Sequence, residues 1–289
     1  MTVKRSEPIT IFAFGDLQFG AVDSFDHKLW ARFKERATNT PNAYYIGLGD
    51  YGDWLRPTMR AELNRAMEKD SSAREQMEVM IHRQYAETLD EMKFMKGRCL
   101  ALHDGHHNWT FQDGTTATQW LCGKLLAPYA GWMAYTQLRL RRSGSREIKS
   151  LTILSMHGEG SARMVTTDAG WMERNIYPAW DADIYLRGHS TKLLAYKDSR
   201  CYAVERGQGV YVQRMKHLAN CGGFSTGYTQ GGQTSYVERT GLKPSPGGWV
   251  EIRLKIRTAN AAEARAKRIG ASNAASELNV EVVTMPGAE

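Results

Sequence analysis

Five short polar clusters follow apolar runs along this chain of 289 residues. They are Gly15-Asp16-Leu17-Gln18, Gly49-Asp50-Tyr51-Gly52-Asp53, His103-Asp104-Gly105-His106-His107-Asn108, His157-Gly158 and Gly188-His189-Ser190-Thr191. Five of the eight histidines lie in them, beside carboxylates and the side-chain amides of Gln18 and Asn108. Imidazole, carboxylate and amide oxygen are the donors that hold divalent metal ions. In an α/β sheet the carboxyl ends of the strands form one rim, where ligands bind. The pattern therefore predicts that the clusters converge there on a metal centre.

The elements that would carry the clusters are readable. Short β-branched and aromatic runs predict strands over 9–14, 43–48, 99–103, 134–141, 151–157, 182–187, 192–196, 210–218 and 249–256. Helical spacing of Phe25, Leu29, Trp30 and Phe33 predicts a helix after the first strand. A long helical stretch over 58–96 is expected to break at Asp70-Ser71-Ser72 and to end at Gly97. Shorter helices are expected over 116–126 and 168–176. An order of βαβα first and mostly β later suits two packed sheets with helices outside. No internal repeat or linker divides the chain, so residues 1–257 read as one domain. Residues 258–289 read as a C-terminal extension with a strand near 278–284.

The clusters resemble the motifs of the calcineurin-like metallophosphoesterases, which run D-x-H, G-D-x-x-D, G-N-H-D/E, a lone His and G-H-x-H, each after a strand. The match extends from Asp16 to His189 in the family's order. Asn220-Cys221-Gly222-Gly223-Phe224 and Lys243-Pro244-Ser245-Pro246 are similar to versions found in phages. The resemblance implies a four-layered α/β sandwich of two mixed β-sheets flanked by helices, with metals at the strand C-terminal ends. It departs from the pattern at four places. Gln18 stands for an imidazole, His106 for a ligating Asn and Thr191 for the last His. Trp54 replaces the Arg that phosphoprotein phosphatases use to grip phosphate.

Carried over residue by residue, the resemblance implies that Asp50 bridges two metals. Asp16 and Gln18 would hold the first, with Thr191 a weak metal or substrate contact. Asp50, His106, His157 and His189 would hold the second. His107 would be the general acid, with Asp53 orienting its ring. A metal-activated hydroxide would attack phosphorus, and His107 would protonate the leaving oxygen. The nitrogen-rich second site suits manganese, zinc or iron. The all-oxygen first site suits magnesium or manganese and is expected to bind weakly.

Each residue also has a plainer reading. Asp16 alone reads as a turn or cap, His157 as a core histidine and Asp104 as a turn residue. Gly47-Leu48-Gly49-Asp50-Tyr51-Gly52 matches a dinucleotide fingerprint, but Asp50 would face the pyrophosphate and no helical stripe follows. The basic turn over 139–149 reads as a solvated hairpin or a nucleic-acid patch.

Composition bounds these readings. Hydrophobic residues at 42% and charged residues at 24% exclude a disordered chain, a collagen-like fibre and a disulfide scaffold. No apolar run is long enough for a membrane helix, and MTVKRSEP has no signal-peptide core behind it. Four scattered cysteines read as reduced thiols of a cytoplasmic protein. A net charge of +7 favours acidic partners. The expected function is hydrolysis of a phosphodiester, with nucleic acid a candidate substrate. The alternatives are a nucleotide or small-molecule phosphatase, and a degenerate member that binds nucleic acid or protein without catalysis.

Overall fold

The computed structural model describes residues 2–3, 8–21, 25–53, 65, 71–142, 146, 148–160, 164–203, 211–228, 236–239, 241, 243–258 and 276–287. Its strands are β1 (Thr2–Val3), β2 (Ile9–Phe14), β3 (Ala43–Gly47), β4 (Cys99–Leu102), β5 (Met133–Arg142), β6 (Ile148–Met156), β7 (Ile184–Arg187), β8 (Leu193–Ala203), β9 (Tyr211–Cys221), β10 (Gly248–Thr258) and β11 (Ser276–Pro286). The helices are α1 (His27–Thr38), α2 (Ser71–Met92), α3 (Ala117–Leu125), α4 (Val165–Asn175) and the single turn α5 (Tyr236–Arg239). One sheet has the order β1-β5-β6-β7-β9-β8, the other β11-β10-β2-β3-β4.

Both sheets are mixed. β2, β3 and β4 run parallel, as do β6, β7 and β9, while β10 pairs antiparallel with β2 and β11. β2 is buried along its whole length, the pattern of a strand covered on both faces. Phe12 and Phe14 point into an aromatic layer with Trp30 and Phe33 of α1, Phe224 and Trp249. The alternate residues Ile11 and Ala13 join an aliphatic layer with Ile46, Ile153, Leu186 and Ile252 between the sheets. On the far face of the larger sheet, Leu154, Met156 and Leu218 pack with Met172 of α4. The layers are helix, sheet, sheet, helix, as the resemblance implied.

Local chemistry fixes the helix starts. The Asp26 side chain accepts the Leu29 N–H at 2.9 Å, and Thr116 and Gln119 form a reciprocal capping box. α2 is described from Ser71 to Met92, a 3₁₀ turn over Lys93–Met95 continues it, and Gly97 lies just beyond with φ +73°. The expected break at Asp70-Ser71-Ser72 falls at the edge of the described residues. The expected helix over 58–70 lies outside the described residues apart from Arg65. So do Trp54, positions 143–145 and 147 of the basic turn, and 259–275 of the extension.

Several strands run past their expected bounds. β8 reaches Ala203, β9 runs to Cys221 and β11 spans Ser276–Pro286. β9 pairs with β7 only from His217 to Asn220, so the β8–β9 hairpin projects beyond the sheet. The projecting residues 211–215 of β9 are exposed and lie within the strand expected over 210–218, whereas residues 197–203 of β8 lie beyond the one expected over 192–196. Among the described residues, no helix is long and apolar enough to cross a membrane.

Candidate metal centre

The parallel strands deliver the clusters to one rim. Asp16 follows β2 and donates its N–H to the Gly49 carbonyl (3.1 Å). Gln18 donates its N–H to the Asp50 carbonyl (2.9 Å), which sets the first loop beside the second. The two sheets meet where His157 Nδ1 bonds the Leu48 carbonyl at 2.6 Å. Six described non-glycine residues have positive φ, and four of them are Asp16 (49°), Gln18 (47°), Asp50 (53°) and His189 (59°). Such strained backbone clusters at functional sites, where surrounding structure over-determines it.

Asp50, His106, His157 and His189 each present one donor atom, all within 4.8 Å of one another. Donors around one ion at ~2.0–2.2 Å lie no more than ~4.4 Å apart, so a small contraction would close this set on a metal. His157 Nε2 lies 3.0 Å from His106 Nδ1 and 3.3 Å from Asp50 Oδ2. His189 Nδ1 is buried with no hydrogen-bond partner, an orphan that a ligand would satisfy. Three imidazoles and a carboxylate thus fit a divalent cation.

The charge distribution supports that fit. Burial would raise the Asp50 carboxyl, but the bond and charge of His157, with His107 nearby, hold it down at about 2. Burial works against the His157 imidazolium, yet Asp50 and Asp16 push it up to about 9. Burial and the neighbouring His157 lower both His106 and His189, the latter to about 4. Burial pushes Asp16 up to about 7, aided by Asp50. The His157 imidazolium therefore supplies, beside the Asp50 carboxylate, the positive charge that a metal would otherwise provide.

The loop bearing His106 and His107 wraps the Asp50 carboxylate. The His107 N–H donates to Asp50 Oδ1 at 2.8 Å, and its Nδ1 lies 3.3 Å from Asp53 Oδ1. A Cβ on Gly105 would fall 2.0 Å from Asp50 Oδ1, so this approach requires glycine. Asp104, read from sequence as a turn residue, is the loop's anchor. Its carboxylate accepts from Asn108 Nδ2 (2.7 Å), Thr116 Oγ1 (3.4 Å) and the Tyr129 hydroxyl.

The remaining cluster residues are placed differently. Asp16 lies outside the four-donor group, and its Oδ2 accepts the His189 N–H at 2.8 Å. Thr191 lies across Gly223 from Asp16, and its carbonyl accepts the Ser245 hydroxyl. His103 turns away, held by Gly131 O (3.1 Å) and Ser155 Oγ (2.8 Å).

Two features had no sequence signal. Trp132 packs edge-on against His106 and His157, at centroid distances of 4.9 and 5.3 Å. Behind His189, buried Asp168 accepts from Ser190 Oγ (2.6 Å) and pairs with buried Arg187 (3.3 Å). Arg187 also donates to the carbonyls of Glu159 and Gly160, tying the His157 loop to the His189 loop.

No protein-family model and no curated protein matches this sequence. Solved structures similar to the chain include Vacuolar Protein Sorting 29 from Cryptosporidium parvum, 12% identical, with 97% of this chain and 100% of that chain covered and a TM-score of 0.39. The calcineurin-like phosphoesterase YfkN from Bacillus subtilis is 12% identical, with 96% and 91% covered and a TM-score of 0.34. The Haemophilus influenzae NAD nucleotidase NadN is 9% identical, with 96% of this chain but 50% of that chain covered and a TM-score of 0.40. At such identities and TM-scores the likeness carries no argument about function.

Proposed function

We propose that the protein is a metal-dependent phosphoesterase whose substrate is a phosphodiester. The observation that carries this reading is the convergence of Asp50, His106, His157 and His189 within 4.8 Å. Divalent ions bound at such a site lower the pKa of water and neutralise charge on phosphoryl oxygens. The chain's own residues supply the rest. His107 is one residue beyond a ligand position, with its main chain fixed by Asp50. With Nδ1–H held by Asp53, its Nε2 is the nitrogen that can give a proton to the departing oxygen.

Residues 1–257 would form the catalytic domain. One ion would be held tightly by the histidine-rich set. A second, weaker site would use Asp16, Gln18 and the shared Asp50, with Thr191 at its margin. Manganese suits both donor sets. The net charge of +7 favours a polyanionic substrate held through its phosphates.

Hydrolysis of 4-nitrophenyl phosphate and bis(4-nitrophenyl) phosphate, with and without manganese, tests the proposal. The diester should be the better substrate, and activity should require metal. Preference for the monoester would mean a small-molecule or nucleotide phosphatase. Metal binding without hydrolysis of either would mean a non-catalytic binding protein.

A further inference from the structure

We infer that exposed aromatic and basic side chains leading from the metal centre along β5 form a track for single-stranded nucleic acid. This deepens the phosphodiesterase reading and rests on it for the link to hydrolysis. The track begins at Trp132, which is 36% exposed although it packs against two candidate metal ligands. Trp132 immediately precedes β5 at its metal-centre end, where Met133 pairs with Met156 just ahead of His157, and it is out of step with the strand's own faces. Within β5 alternate residues share a face. Tyr135, Gln137, Arg139 and Arg141 therefore share one face of β5, and all four are exposed. Tyr135 is 46% exposed, and its ring lies 6.0 Å from that of Trp180, itself 38% exposed. From Tyr135 to Arg141 the row spans ~20 Å.

The order of residue types points to the ligand. Exposed aromatic surface concentrated in one place marks an interaction site. Aromatic faces accept stacked bases whatever the sequence, and arginines grip the phosphates between them. The carboxylate beside Trp180, Asp181, is engaged by Lys216 Nζ (2.9 Å) and the Tyr202 hydroxyl (2.6 Å), which reduces its repulsion of a phosphate. A duplex hides its base faces, so this arrangement selects a single strand. The aromatic end adjoins the metal centre, so a strand lying here would bring its backbone to the reacting atoms.

Fluorescence anisotropy tests the track with labelled dT10, an abasic strand of equal length and phosphate number, and a duplex. The wild-type chain should bind dT10 at least ~10-fold more tightly than the abasic strand, because base stacking contributes ~1–3 kcal/mol per base. Tyr135→Ala and Trp180→Ala should each weaken dT10 by ~5–150-fold, and the phenylalanine variants should restore most of that. Arg139→Ala and Arg141→Ala should weaken dT10 and the abasic strand alike and flatten the salt dependence. Both alanine variants of the aromatic residues should hydrolyse bis(4-nitrophenyl) phosphate as the wild type does. Equal wild-type affinity for dT10 and the abasic strand overturns the inference, as does unchanged dT10 binding by the alanine variants or preference for the duplex. A wild-type chain that prefers dT10 but hydrolyses no phosphodiester would support the track while removing the catalytic reading.

Discussion

Replacing Gly105 by alanine tests whether the closeness of two loops, and not the donors alone, makes the metal centre. The added Cβ would lie 2.0 Å from Asp50 Oδ1, 2.4 Å from the Asp50 nitrogen and 2.7 Å from its Cγ. Relaxed carbon contacts are roughly 3.5–4.0 Å, so the loops must part by about 1 Å or more. Two of the three contacts are with the group that ligates, and the third is main chain. No flexible side-chain end can absorb the clash. Overpacking of this kind costs ~1–3 kcal/mol, and metal-ligand distances tolerate only ~0.2 Å. We expect manganese affinity to fall ~5–150-fold if the strain is relieved by moving Asp50. The metal-free Tm should fall by ~2–12 °C, at ~2–4 °C per kcal/mol for domains approaching this size. Gly123→Ala is the control. It lies on the exposed face of α3 with nothing within 4 Å of the added atom, and helix propensity favours alanine there by ~1 kcal/mol. Manganese titration by electron paramagnetic resonance, beside thermal unfolding, reads both effects. If Gly105→Ala binds metal and melts like the wild type, the proposed wrapping of Asp50 is wrong.

Three further outcomes are expected. His107→Ala should retain its metal but turn over ~10²–10⁴-fold more slowly, most severely with poor leaving groups; metal loss with unchanged leaving-group dependence would assign His107 as a ligand instead. Metal uptake at pH 7 should release at least about one proton, because His157, raised to about 9, must lose its proton to ligate. Since that pKa lies above the ordinary value, the His157–Asp50 pair stabilises the metal-free fold below about pH 6.5 and loses this contribution as pH rises through 9. Calorimetric titration in two buffers of different protonation enthalpy counts the protons, and none released would refute the charge assignment. Purified protein should carry about one tightly held ion, with activity following a second added ion; metal analysis showing two tight ions would remove the asymmetry.

The fold was legible wherever burial is two-sided. β2, β3, β4 and β7 are short apolar runs cut off by Gly-Asp, His-Asp or Gly-His, and a packed sheet demands that punctuation. The projecting half of β8 was not legible, because Lys197-Asp198-Ser199-Arg200 carry no apolar run, whereas that of β9 falls within the strand expected over 210–218. The convergence of Asp50, His106, His157 and His189 followed from strand ends sharing a rim. The role of Asp104 did not, since an aspartate after a strand is an ordinary turn residue until Asn108, Thr116 and Tyr129 are seen around it. Trp132 gave no signal because tryptophan before a strand has no characteristic spacing. Arg187 and Asp168 were hidden for another reason: they lie 19 positions apart, and only the packing of α4 on the larger sheet brings them together.

The place of β10 between β2 and β11 has a consequence during synthesis. β2 ends at Phe14, whereas the strand that covers its outer edge begins only at Gly248. At ~5–20 residues per second, a ribosome takes roughly 10–50 s to bridge that gap. Once β3 and β4 have been made, the apolar segment Ile9–Phe14 has them to one side and an open hydrogen-bonding edge on the other until β10 arrives. Such an edge is a template for pairing between nascent chains on neighbouring ribosomes. The loop bearing Asp16 and Gln18 hangs from this same strand, so the centre cannot reach its final form until the last strands have been made. Slowed translation should therefore raise the aggregated fraction, and cutting the chain before residue 248 should yield insoluble material instead of a smaller active domain.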